Sequence, residues 1–227
     1  VLGRVQYIAD HRPGTDVARL LGVVAQVLGA GVPCVQVRSK DCTDWERYDV
    51  AKAILALCRQ ARATCIVNDR VDIALAVGAD GAHVGADDLP AGEARRLLGA
   101  RAVLGVSARN LDEATAAAAS GASYLGVGPC YPTTTKQGLP DPIGPSGLAG
   151  IARAVDLPVL AIGGVTAARV PELVQAGAYG VAVISAIAGA ADPAAAAREL
   201  VAAVAAVAAV VSPGALGAAG DYPGGRR

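Results

Sequence analysis

The feature that most constrains this chain is an alternation repeated eight times along it. A short apolar run rich in Val, Ile and Leu is followed each time by a longer segment of helical period. The runs are RVQYIAD (4–10), CVQVR (34–38), TCIVND (64–69), GAHVG (81–85), AVLGVS (102–107), SYLGVG (123–128), PVLAIGG (158–164) and GVAVIS (180–185). Each has the length and β-branched content of a buried strand. Helices are expected near 16–29, 45–61, 70–77, 90–98, 111–120, 146–154, 167–176 and 193–211. In the first, Val17, Leu20, Leu21, Val24, Val27 and Leu28 share a face, as do Leu200, Val204, Val207 and Val211 in the last. Asp44 stands where the second helix needs an N-cap.

A glycine recurs just before a run, in Gly31-Val32, Gly78-Ala79, Gly121-Ala122 and Gly177-Ala178. Glycine past a helix end is the usual helix stop. Helix, stop and continuously apolar strand make a βα unit with a parallel sheet. Eight units point to α/β architecture as a single (β/α)8 TIM barrel. A doubly wound open sheet would have fewer strands and an early G-x-G-x-x-G, which is missing. The barrel is expected over 1–211. Residues 212–227, rich in Gly and Pro, read as a disordered tail.

Composition narrows the function classes. Of 227 residues, 53% are hydrophobic, with neither Phe nor Met, so the core must be built from Val, Leu, Ile and Ala. Lys plus Arg and Asp plus Glu are 20 each, which offers no footprint for nucleic acid or an anionic membrane. Any anion site must therefore be local. The longest apolar run, LVAAVAAVAAVV (200–211), is too short to span a bilayer, and no signal-peptide pattern follows Val1. The five cysteines, Cys34, Cys42, Cys58, Cys65 and Cys130, are odd in number and lack C-x-x-C spacing. That argues for reduced, space-filling thiols and a cytoplasmic setting, against disulfides or zinc.

Polar residues gather at one end of the strands. Gln36, Arg38 and Lys40 close the second run, Asn68 and Asp69 the third, and Ser107 the fifth. Asp87 and Asp88 follow the fourth, Gly163-Gly164 end the seventh, and Ser185 the eighth. In a barrel this is the catalytic face. Gln36, Arg38 and Lys40 alternate, so they point to one side; two cations there suit a phosphate, or simply a solvated strand end. Asp69 and Asp88 lie on adjacent strand ends and suit Mg²⁺ shared with phosphate; Asp88 reads equally well as a helix cap before Leu89-Pro90. Gly163-Gly164 suit either a phosphate loop or a tight turn. His83 is expected to be a satisfied core residue, His11 a surface loop residue, and Trp45 and Tyr48 helix packing.

The ordered stretches VQVRSK (35–40), VNDRVDIALAVGADGAHVGADDLP (67–90), LGVSA (104–108), GASYLGVGPCYPTTTK (121–136), PIGPSGL (142–148), LPVLAIGGV (157–165) and AGAYGVAVISAI (176–187) resemble the thiamine-phosphate synthase family, from about Tyr7 to Ile187. The G-P-x-x-P-T-x-T-K element at 128–136 is the most specific of them. The resemblance implies a Mg²⁺-dependent transferase. It joins 4-amino-2-methyl-5-(diphosphooxymethyl)pyrimidine to 4-methyl-5-(2-phosphooxyethyl)thiazole, giving thiamine phosphate and diphosphate. It assigns Gln36, Val37, Arg38, Ser39, Lys40, Asn68, Ser107 and Lys136 to the pyrimidine diphosphate. Asp69 and Asp88 would hold Mg²⁺, and Thr133, Thr134, Thr135, Gly164, Ile184 and Ser185 the thiazole phosphate. Arg38, Lys40, Ser107 and Lys136 would be the catalytic set.

The implied partners are small-molecule substrates, with neither nucleic acid nor membrane, and the resemblance is compatible with a homo-oligomer. Ser39, Ala86 and Arg109 depart from the family pattern. The alternatives are a thiazole tautomerase of the same superfamily, which would need neither the acid pair nor the strand cations, and a non-catalytic phosphate-ligand sensor. A Schiff-base aldolase fits less well, because Lys136 lies in a polar loop.

Overall fold

The computed structural model describes residues 2–135, 138 and 140–209. Lys136, Val211 and the 212–227 tail lie outside the described residues. The chain forms β1 (Val5–His11), α1 (Val17–Gly29), β2 (Cys34–Ser39), α2 (Asp44–Ala61), β3 (Thr64–Asn68), α3 (Val71–Val77), β4 (Gly81–Val84), α4 (Ala91–Leu98) and β5 (Val103–Ala108). It continues through α5 (Leu111–Ala119), β6 (Tyr124–Val127), α6 (Gly144–Ala154), β7 (Val159–Ile162), a 3-10 turn (Ala167–Arg169), α7 (Val170–Gln175), β8 (Gly180–Val183), α8 (Ser185–Ala188) and α9 (Pro193–Ala208). The strands pair in chain order as a closed barrel, and every pair is parallel. This is a single (β/α)8 TIM barrel. Among the described residues no helix is long and apolar enough to cross a membrane.

Successive strand residues face opposite sides of a sheet, and closure turns those sides into an inside and an outside. Val5, Tyr7, Val35, Val37, Leu104, Val106, Leu125 and Val127 pack with helix residues such as Val24, Ile54, Leu148, Leu173 and Leu200 in the main core. Ile8, Tyr124, Leu160, Tyr179 and Ala182 form a second, smaller cluster. Val and Leu fill the outer layer in place of larger side chains, and all five cysteines are buried free thiols.

Several boundaries differ from the sequence expectation. Asp44 is not the cap of α2: Thr43 is, through a capping box in which Glu46 N donates to Thr43 Oγ1 at 3.3 Å and Thr43 N donates to Glu46 Oε2 at 2.8 Å. Asp44 begins the helix and pairs with Arg70 instead. His11 is not in a surface loop. It ends β1, opposite Ser39, and is buried with its Nδ1 3.4 Å from Cys42 Sγ. Trp45 does not pack into the core; it is 72% exposed and stacks on Tyr48 at 6.3 Å. Pro171 lies in the first turn of α7, and the chain before it forms only a 3-10 turn. The stops at Gly31, Gly78, Gly121 and Gly177 all have positive φ, as helix ends require.

Two glycines serve the interior by having no side chain. A Cβ at Gly105 would overlap His83 Nδ1 and the Tyr124 ring, and one at Gly126 would lie 2.9 Å from His83 Cε1. Gly105→Ala should therefore cost about 2 kcal/mol or more, as overpacked cores do. Gly92→Ala, where the new methyl meets nothing within 4 Å inside α4, should be neutral or stabilising by about 0.5–1 kcal/mol. Urea midpoints of the two variants, with unchanged slopes, check the contrast; equal midpoints would overturn it.

Candidate active site

The strand ends enclose a cavity of about 230 Å³ at the C-terminal face. Its floor is a chain of hydrogen bonds inside the barrel. Gln36 Nε2 donates to Gln6 Oε1 at 3.0 Å, and Gln6 Nε2 donates to the Tyr124 hydroxyl at 3.1 Å. Tyr124 Oη lies 3.0 Å from His83 Nδ1, and His83 Nε2 lies 3.0 Å from Ser107 Oγ. Residues of β1, β2, β4, β5 and β6 thus meet across the lumen. Burial drives the His83 pKa down to about 4 against an ordinary 6.5, only partly opposed by Asp88. Burial also pushes the Tyr124 phenol up.

Most of the charges at the mouth lie above β2 to β4, while Arg109 and Glu113 line the cavity after β5. The Arg38 guanidinium pairs with Asp10, which also pairs with Arg12 at 2.9 Å. Lys40 pairs with Asp69. Asp69 adopts φ +64, a conformation Asp tolerates better than most residues, and its N–H donates to His83 O at 2.7 Å. Asp88 Oδ2 accepts from Gly85 N at 2.7 Å, so its carboxylate is turned back toward the cavity and does not cap α4. Burial, and then the hydrogen-bonded and like-charged Asp69 beside it, hold the Asp88 carboxyl above its usual range. Two hard oxygen donors are thus held together beside a cation.

On the opposite side, above β6 to β8, the described residues that line the cavity are hydroxyl-bearing or apolar. Thr133 Oγ1 donates to Thr135 Oγ1 at 3.3 Å, and Thr135 Oγ1 to Ser185 Oγ at 3.5 Å. Gly163 and Gly164 turn the chain with φ +92 and +63. A Cβ on either would sit 2.7 Å from the loop after β6, against Pro129 Cα or Pro132 O. Glycine here answers both backbone angle and close approach. Arg169 ties these loops together, donating to Gly164 O at 2.5 Å while lying 4.2 Å over the Tyr131 ring.

Of the residues singled out in the sequence, Gln36, Arg38, Lys40, Asn68, Asp69, Asp88, Ser107, Thr133, Thr135, Gly164, Ile184 and Ser185 line this cavity. Val37 does not: strand parity turns it into the barrel–helix core. Ser39 has the same parity, and its Oγ is buried with no hydrogen-bond partner among the described residues. Thr134 is exposed outside the cavity. Lys136 lies outside the described residues. Sequence reasoning passed over Gln6 and Asp10, although both share the parity of Ile8, which lines the cavity. It also read His83 as core. His83 is buried, but it lines the cavity, and the two flanking glycines that make room for it were the available signal.

Comparison with known proteins agrees with this geometry. A profile of the family described as thiamine monophosphate synthase matches residues 6–187. The thiamine-phosphate synthase of Salinispora arenicola (strain CNS-205) is 58% identical over 196 residues, 86% of this chain and 94% of that protein. The chain belongs to the thiamine monophosphate synthase family. It is a transferase of that family. The thiamine-phosphate synthase of Salinispora tropica is 56% identical over the same shares of the two chains. The solved thiamine phosphate pyrophosphorylase from Pyrococcus furiosus superposes with a TM-score of 0.79 at 35% identity, covering 90% of this chain and 96% of that one. Two positions that depart from the family pattern, Ala86 and Arg109, line the cavity.

The depressed His83 pKa makes stability depend on pH. Between pH 6.5 and about 4 the unfolded chain takes up a proton that folded His83 refuses. Its contribution is intact above 6.5 and is lost as pH falls through that window, on the order of 3 kcal/mol in all. Chemical denaturation at stepped pH should show this slope in the wild type and a smaller one in His83→Gln. Identical slopes would contradict it.

Proposed function

We propose that this enzyme condenses 4-amino-2-methyl-5-(diphosphooxymethyl)pyrimidine with 4-methyl-5-(2-phosphooxyethyl)thiazole, releasing thiamine phosphate and diphosphate. The carrying observation is the division of one cavity into two polar sides. In an eight-strand ring β3 stands opposite β7. The charged side at β2 to β4 therefore faces the hydroxyl side at β6 to β8 across an uncharged floor. Two anionic substrates whose rings must meet in the middle suit that arrangement.

Diphosphate belongs on the charged side, with Arg38 and Lys40 as its cations, and Lys136 joins them on the strength of the family resemblance. Asp69 and Asp88 fit Mg²⁺. Among the described residues no group of three or more His, Cys, Asp or Glu gathers, so water and diphosphate oxygens would complete the coordination. When bound, Mg²⁺ would neutralise charge on the diphosphate. Thr133, Thr135, Gly164 and Ser185 suit the thiazole phosphate. The bond from the pyrimidine methylene carbon to the diphosphate oxygen breaks first, and the electron pair leaves with diphosphate. The electron-rich aminopyrimidine carries the resulting positive charge, and the thiazole nitrogen lone pair then forms the new C–N bond. No general base is required, and the protein's part is charge stabilisation and alignment.

Mixing both substrates with the protein should yield thiamine phosphate with Mg²⁺ and little without it. No product under any metal condition would sink the reading. Asp69→Ala should lower Mg²⁺-supported turnover by about 10²-fold or more. It should still fold, with a loss of about 1–2 kcal/mol set mainly by Ala at positive φ, because the Lys40 partner is partly exposed. Wild-type turnover in that variant would remove Asp69 from the metal site.

A further inference from the structure

We infer that the hydrogen-bond chain from Gln36 to Ser107 runs in one direction only, and that Gln6 and Tyr124 are positioning residues that set which floor groups donate and which accept. This rests on the proposed reaction only for what occupies the cavity.

The argument starts at Tyr124, whose hydroxyl has one proton. Gln6 Nε2 donates to it at 3.1 Å, so one of its lone pairs is already taken. Its own proton therefore goes to His83 Nδ1, 3.0 Å away. With Nδ1 accepting, the imidazole proton sits on Nε2 and is donated to Ser107 Oγ. The Ser107 proton is then left pointing outward, to any acceptor in the cavity. At the other end Gln36 uses its Nε2 on Gln6, which leaves Oε1 as an acceptor for an occupant. Gln6 spends its second amide proton on Cys34 Sγ at 3.3 Å. Reversing the chain would require the Gln6 amide to flip, turning its one oxygen toward both the Tyr124 phenol and the Cys34 thiol in place of its two N–H donors. Tyr124 is wholly buried and outside the cavity lining, so it acts only through its neighbours.

One acceptor and one donor on a shared floor match a ring that bears an amino group beside an unprotonated ring nitrogen, as an aminopyrimidine does. A ring with the reverse pattern would meet acceptor against acceptor at Gln36 and donor against donor at Ser107. The discrimination thus originates beneath the contact residues.

Nitrogen-15 NMR of the full chain tests this without substrate, because the sequence has only two histidines. His83 is expected as the Nε2–H tautomer, with Nδ1 unprotonated. Tyr124→Phe keeps the ring and removes the phenol, so it should let both His83 tautomers appear. In steady-state assays it should raise KM for the pyrimidine diphosphate about tenfold and leave KM for the thiazole phosphate unchanged. An Nδ1–H tautomer in the wild type would overturn the direction. An unchanged tautomer in the variant, or equal KM changes for both substrates, would overturn the positioning role. If the tautomers behave as expected but no thiamine phosphate forms, the relay stands and the proposed reaction falls.

Discussion

Closure of eight parallel strands is the constraint from which the remaining features follow. In an open sheet, alternate residues face two separate helix layers. In a ring, one parity faces helices and the other faces only other strands. Small apolar residues such as Val35, Val37 and Val127 suffice for the outer parity. The inner parity must be satisfied without helices, and here it holds Gln6, Gln36, His83 and Tyr124. Polar groups in such a place are tolerated only when fully paired. Gly105 and Gly126 make that pairing sterically possible.

The same closure brings distant chain segments to one mouth. Asp10, Arg38 and Lys40 come from the first two units, Asp69 and Asp88 from the third and fourth, and Ser185 from the eighth. Their mutual electrostatics belong to the assembled ring. Arg38 is held by Asp10 and Lys40 by Asp69, so both cations are oriented before any anion arrives. Asp88, crowded by Asp69 and partly buried, resists ionisation alone. In the proposed reaction, Mg²⁺ between them would relieve that crowding.

Much of this was legible in the residues. The eight runs, the glycine stops and the one-sided polar strand ends all rest on local chemistry. Strand propensity, left-handed glycine and the two-residue strand repeat each act within a few residues. Misreadings arose where a choice depended on neighbours. Thr43, not Asp44, caps α2, because either residue is a competent cap and Glu46 completes the box only with Thr43. His11 is buried because β1 runs on to meet Ser39. Trp45, large and apolar, stays exposed and stacks only on Tyr48 of its own helix, whereas Val37 is hidden by parity.

By itself the sequence determined the repeat, the parallel topology, the face that would carry chemistry and the residues resembling a thiamine-phosphate synthase. These depend on order and spacing along the chain, which a one-dimensional reading retains. The tertiary structure alone decided that Gln6 reaches Tyr124 across the lumen and that Asp10 holds Arg38. It also decided that His83 spans cavity and core. Those contacts join residues many positions apart, and their energy depends on distances that exist only once the ring has closed.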